Sequence, residues 1–277
     1  MLGLNLGQRE RELTSLHSSP KTEQYDTSIN IIGGLQDLSI IEHAFHYFFT
    51  HDEQEGSIIP KENFDLRTER SQLRVERGIR NCFLHFRDSQ HKELLQNLFD
   101  RRLPLQDRNL ILFWQLSLNN RLFREISEHV FVPVYWSGRS VLPKDEIIAF
   151  IKEIVHQNPE LDLGWSEITI ITLARKYLNF LTKLGFLEGA QKKFFSTIPI
   201  STEAIITFLY LARTANPDQR NLLKNSFLKL SMIPKDDLVT RLKRLSMKGL
   251  FEMDYNGVDL NLELTLEAGE VANVLYH

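Results

Sequence analysis

Apolar residues return at intervals of three and four along most of the chain, the spacing of amphipathic helices rather than strands. The clearest stretch is 66–87, LRTERSQLRVERGIRNCFLHFR. At about 100° per residue, Val75, Ile79, Cys82, Phe83 and Phe86 collect on one side. Arg67, Arg70, Arg74 and Arg77 fall within roughly a quarter of the circumference on the other. The pattern predicts a helix capped by Asp65 or Thr68, with its apolar face on a core and four guanidinium groups turned outward. Such a row suits the phosphates of a nucleic acid. The plainer reading is a solvated face relieved by Glu69 and Glu76.

Before this helix, Met1 to Ser28 reads as a loosely held tail, broken at Ser18-Ser19-Pro20. Ile29 to Ile32 leads into Gly33-Gly34, a backbone hinge. Ser39 and Glu42 form a capping box ahead of IIEHAFHYFF, and Asp52 to Pro60 is a loop. Helix, loop and arginine helix have the layout of a helix-turn-helix with a longer loop than usual. His91 to Asp100 is a short helix that stops near Pro104. RNLILFWQLSLNNRLFREISEHV, Arg108 to Val130, is apolar around much of its circumference and predicts a helix buried at the centre, with Trp114 as a core anchor. The pattern breaks from Val132-Pro133 to Gly138-Arg139. There Tyr135, Trp136 and Arg139 predict a packed turn between domains, contact with a base or sugar being the alternative.

A second unit follows. Lys144 to His156 is helical, Asn158-Pro159 stops it, and Ser166 caps a long helix to Leu184 with Gly185 after it. GFLEG then leads to a short strand near Phe194 and Phe195. Arg175, Lys176 and Lys183 form no single stripe. In the third unit Ser201 or Thr202 caps a helix ending near Thr214, Pro217 opens another to about Leu230, and SMIPKDD leads into Lys235 to Lys248. Leu238, Val239, Leu242 and Leu245 share one side of that helix, and Arg241, Arg244 and Lys248 another. Alternating residues on either side of Asn256-Gly257 predict a β-hairpin, and a last helix closes the chain. The expected architecture is mainly α: a tail over 1–28, a helical domain with a helix-turn-helix-like element over 29–135, a winged-helix-like domain over 136–199 and a winged helix with a hairpin wing over 200–277.

Composition narrows the function classes. The chain has 277 residues, 42% of them hydrophobic and 25% charged, with a formal net charge of −3. No global positive field draws it to a polyanion, so binding must come from local asymmetry. The hairpin carries Glu252, Asp254, Asp259 and Glu263, which would repel phosphate, so the third unit reads equally as a DNA reader or an interaction module. The single cysteine, Cys82, excludes an internal disulfide and reads as a reduced core thiol. His43 and His46 lie three apart but lack a third metal ligand at a recognisable spacing. No window of 18 apolar residues and no signal segment is present, which predicts a cytoplasmic protein without membrane contact. A P-loop, a dinucleotide glycine motif, a zinc pair and a nucleophile elbow are all missing, and no cofactor, metal or small-molecule substrate is expected.

From about Ile31 to Leu211 the chain resembles the BrxA proteins of bacteriophage-exclusion (BREX) defence systems. The resemblance is carried by Gly33-Gly34, the Arg70–Arg80 helix, LFWQLSLNNRLFREI (Leu112 to Ile126) and, above all, WSEITIITLARKYLNFLTKLGFLEG (Trp165 to Gly189). The segment after Thr214 extends beyond the usual family length. The resemblance implies a small helical protein with helix-turn-helix elements that binds double-stranded DNA beside other BREX components, and it brings no catalytic residues. The expected function is therefore non-enzymatic DNA binding by Arg67, Arg70, Arg74 and Arg77, assisted by Arg241, Arg244 and Lys248. An adaptor that recruits partner defence proteins and a regulator of the defence operon are the alternatives.

Overall fold

The computed structural model describes residues 24–51, 57–59 and 68–276. Arg67, the alternative cap Asp65, most of the expected 1–28 tail and most of the 52–60 loop lie outside them. The described chain is mainly helical, with two small antiparallel hairpins.

The helices are α1 (Ile29–Ile32), α2 (Ser39–Thr50), α3 (Glu69–Phe83), α4 (Ser89–Phe99), α5 (Leu105–Asn119), α6 (Arg121–Ile126) and α7 (Val132–Trp136). After them come α8 (Lys144–Gln157) and α9 (Glu167–Lys183), the hairpin of β1 (Leu187–Glu188) and β2 (Phe194–Phe195), and α10 (Thr202–Ala215). The chain closes with α11 (Lys235–Ser246), the hairpin of β3 (Phe251–Tyr255) and β4 (Leu260–Leu264), and α12 (Val271–Leu275).

Helix α5 is the central post. Every residue from Asn109 to Asn119 is buried, because α3, α6 and α10 pack around it. Trp114 is fully buried, its ring 5.1 Å from that of Phe208, and its indole N–H donates to the Leu230 carbonyl at 2.8 Å. The anchor role expected of it holds, and it joins the first and third units in one core.

The expected single helix over 108–130 is interrupted. Asn120 takes an extended conformation (φ −127°, ψ 108°), and its side chain caps α6 by accepting from Phe123 N. A π-helical turn, Ser127–Phe131, then carries the chain into α7. The break predicted at Val132-Pro133 is therefore absent: proline sits in the first turn of α7, where it has no N–H to leave unpaired. Instead of a packed turn the segment is the end of α7, where Tyr135 packs 5.5 Å from Phe195, followed by exposed residues from Trp136 to Ser140, with Arg139 paired to Glu146 at 2.7 Å.

Two local expectations fail for physical reasons. Ser39 caps nothing; the Asp37 carboxylate accepts from Ser39 N, while Glu42 turns away to pair with Arg108 at 2.6 Å. The helix expected from Pro217 is replaced by two 3-10 turns, Leu222–Lys224 and Ser226–Ser231. Asn221 and Asn225 stop it by capping each turn with their own side chains, which compete with helix propagation. Ser166 and Ser201 cap α9 and α10 as expected, and Gly185 and Gly249 take left-handed conformations beyond α9 and α11.

Gly33 is not a hinge. Its backbone is ordinary right-handed helix, and a Cβ there would lie 2.0 Å from the Lys176 carbonyl oxygen. Glycine is required so that α1 can lie directly on α9.

Candidate nucleic-acid interface

Helix α3 begins at a reciprocal cap. Thr68 Oγ1 accepts from Ser71 N at 3.2 Å, and Ser71 Oγ accepts from Thr68 N at 3.3 Å. From that start the 3.6-residue period turns Gln72, Glu76, Ile79, Cys82 and Phe83 inward. Arg70, Arg74 and Arg77 are exposed in a row. Among the described residues none of the three has a carboxylate within ion-pair distance.

Glu76 was expected to relieve this row. It is buried instead, where its carboxylate accepts from the Ser57 hydroxyl. Gln72 supports the arrangement by donating to Ser57 Oγ at 2.7 Å and to the Ile59 carbonyl at 3.1 Å. Burial of Glu76 removes one of the two acids of α3 from the surface and leaves Glu69, exposed in the first turn, as the other.

The far end of α3 is fixed by residues that sequence reasoning assigned no role. The last carbonyls of a helix have no partner within it. Gln115 Nε2 donates to the Phe83 carbonyl at 2.9 Å and to that of His85 at 3.3 Å. Asn119 Nδ2 donates to Cys82 and His85 carbonyls at 3.1 and 3.0 Å. Behind them the fully buried His91 ring meets Gln115 Oε1 at 2.9 Å, and burial pushes its pKa down to about 4. The signal was present: Gln115 and Asn119 are polar residues four apart inside a helix buried from Asn109 to Asn119. Along the middle of α3, Gly78 lets the helix approach α1, since a Cβ there would fall 2.8 Å from Ile31 Cγ2.

The second cationic row is shorter than expected. Arg241 is engaged, with Nη2 2.9 Å from Asp237 Oδ2 and Nη1 donating to the Ile200 carbonyl at 3.3 Å. Arg244 and Lys248 are exposed and unpaired among the described residues, and Lys243 lies over the Tyr255 ring at 4.8 Å. The apolar side of α11 is as expected, with Leu238, Val239, Leu242 and Leu245 buried. Beyond it the β3–β4 register sets Glu252 directly opposite Glu263 and Asp254 opposite Asn261, all four exposed. In the middle unit Lys183 is drawn onto the carbonyls of Gly33 and Leu35 and burial lowers its pKa, Lys176 is half-buried and Arg175 is exposed.

Among the described residues no group of three or more metal-ligating side chains converges, and His43 instead bonds the Ser39 carbonyl. No described helix is long and apolar enough to cross a membrane.

The polar framework that holds the arginine row lies in residues 57–59, in α3 and α5 and in the segment between those helices, and the BrxA family model matches residues 49–209, which contain it and more than half of the chain. The chain belongs to the BrxA family. That membership makes it a component of BREX defence. In this BrxA-family chain α11 and the β3–β4 hairpin lie beyond the matched region. No curated protein and no solved structure matches the sequence.

Proposed function

We propose that this BrxA-family chain is a non-enzymatic component of the BREX system that binds double-stranded DNA through α3, with Arg244 of α11 and Lys248 just beyond it assisting. One observation carries the reading: among the described residues Arg70, Arg74 and Arg77 stand exposed in a row with no carboxylate within ion-pair distance, and of the two acids of the helix Glu76 is buried while Glu69 alone stays exposed, in the first turn. Guanidinium groups one helical turn apart can each neutralise a phosphate, and each such contact releases counterions. Affinity should therefore fall with salt at a log–log slope of roughly −0.9 per phosphate contacted. Titration of a duplex at two salt concentrations, with wild type and with Arg70→Glu/Arg74→Glu, tests it. The double variant should lose the complex and keep its melting temperature, because both residues are exposed. A complex that survives the double change rules out this face.

A second reading rests on the β3–β4 hairpin. Like charges opposite one another on a strand pair are unfavourable, and Glu252 faces Glu263, neither with an ion pair among the described residues although Arg213 and Arg220 line the same pocket. A partner defence protein with a basic surface would relieve that repulsion, making the chain an adaptor. Stoichiometric co-purification of a partner together with no duplex binding at low salt would select this role.

A further inference from the structure

Helix α3 and the C-terminal end of α11 carry the same five-residue spacing, Arg70-x-x-Leu73-Arg74 and Arg244-x-x-Met247-Lys248, with Met247 as the C-cap of α11 and Lys248 in the turn that follows. In α3 Leu73 lies beside Arg70 and Arg74, and at the end of α11 Met247, still right-handed helical in backbone, lies one turn after Arg244, so each projects from the cationic surface and not from the buried side. Neither side chain is covered: Leu73 is 62% exposed and Met247 88%. The other apolar residues of α3, including Val75, Ile79, Cys82 and Phe83, are buried or half-buried, as are Leu238, Val239, Leu242 and Leu245 of α11. Leu73 is also one turn before Arg77, so three exposed guanidinium groups surround it along the ridge.

Phosphate binding needs none of this. Guanidinium and ammonium groups hold phosphates without a neighbouring apolar side chain, and the major-groove base edges are polar except for the thymine methyl. A large apolar side chain set among cations has a different match, the minor groove, where leucine or methionine can enter between stacked bases while arginine or lysine holds the flanking backbone. Two helices of one chain that present the same triplet chemistry, with the apolar residue exposed in each, point to a shared use.

We propose that Leu73 and Met247 are wedges that partly unstack base steps from the minor groove and kink the duplex, with Arg70, Arg74 and Arg77 on one side, and Arg244 and Lys248 on the other, holding the phosphates beside each kink. The inference rests on the DNA-binding reading above and specifies its mode. It also gives a sequence preference without hydrogen-bond readout, because pyrimidine–purine steps unstack most easily.

The test uses the full chain and a duplex of about 40 base pairs, labelled at its ends for energy transfer and carrying 2-aminopurine at a central TA step. Wild type should bend the duplex by some tens of degrees and raise the 2-aminopurine fluorescence several-fold. Leu73→Ala and Met247→Ala should each reduce both signals, and the double variant should abolish them, with affinity within roughly tenfold and an unchanged salt slope because the phosphate contacts remain. Leu73→Met should retain the bend. A straight duplex in the saturated wild-type complex, or a bend that survives the double variant, overturns the wedges and leaves DNA binding standing. No complex even at low salt overturns both, and in that case Leu73 becomes part of a protein contact surface.

Discussion

Gln115 closes the arginine helix by donating its side-chain amide to the Phe83 carbonyl at 2.9 Å. The bond links the central helix α5 to the end of α3, so the direction in which the cationic ridge points is set from the core. Gln115→Leu would fill the same space but leave the Phe83 carbonyl and His91 Nε2 without these partners, while His91 Nδ1 keeps its bond from Arg87 N. Each buried polar group left unpaired costs about 1–3 kcal/mol, so urea unfolding should show a loss of that order or larger, with the denaturant slope unchanged. Asn119→Leu should behave similarly through Cys82 and His85. A loss below about 0.5 kcal/mol in both variants would mean that water satisfies this helix end instead.

His91 and Glu128 make opposing contributions to stability as pH changes. Burial pushes His91 down to about 4, so between that value and its ordinary pKa near 6.5 the unfolded chain binds a proton that the folded chain does not. Its contribution is full above that window and is lost as pH falls through it, with a slope of at most about 1.4 kcal/mol per pH unit. Burial pushes Glu128, in the π-helical turn, up to about 7 despite Arg124 and Lys229 nearby. There the folded chain holds the extra proton between about 4.5 and 7, so stability rises as pH falls. The two should largely cancel between pH 4.5 and 6.5. Glu128→Gln should then show stability falling toward acid, and His91→Asn should show it rising, both read from urea midpoints at stepped pH. Parallel curves for the two variants would refute the opposing signs.

Gly33 and Gly78 hold α1 between α9 and α3 by close approach, but they differ in what they touch. A methyl at Gly33 meets the Lys176 backbone, which cannot move alone; one at Gly78 meets the Ile31 side chain, which can. Gly33→Ala should therefore destabilise by about 1–3 kcal/mol or more, the range for overpacking. Gly78→Ala should be milder, because alanine favours the helix by about 1 kcal/mol over glycine. Equal effects on the melting temperature would contradict this ranking.

The three residues Arg241 and Arg244 of α11 and Lys248 just beyond it are not equivalent. Arg241 is held by Asp237 and the Ile200 carbonyl, whereas Arg244 and Lys248 are exposed. Arg244→Ala/Lys248→Ala should weaken duplex binding and reduce the salt slope by roughly two units, while Arg241→Ala should leave the slope nearly unchanged. A larger slope change from Arg241→Ala would show that its ion pair opens on binding.

Local chemistry made much of this fold legible. The period of residues 69–83, the caps Thr68, Ser166 and Ser201, and the Asn256-Gly257 turn each act over a few residues, and each formed. What could not be read depended on partners distant in sequence. Glu76 looked like a surface acid because its hydroxyl partner, Ser57, lies on a separate segment. Gln115 and Asn119 looked like interruptions of an apolar helix because the carbonyls they serve are some thirty residues away. Asn120, Asn221 and Asn225 turned the backbone where hydrophobic period alone predicted continuous helix. Tyr25 and Asp26, at the end of the stretch read as tail, are fastened to Glu125 and Asn120.

The hydrogen bond from Trp114 to Leu230 has a practical corollary for anyone trimming this chain. A fragment cut at residue 209, where the family match stops, would strip the lid from the indole's socket and open the middle of the first unit to solvent. The trailing seventy residues are thus a wall of the same room as the arginine ridge, and loss of solubility on truncation would say nothing about whether α11 touches DNA.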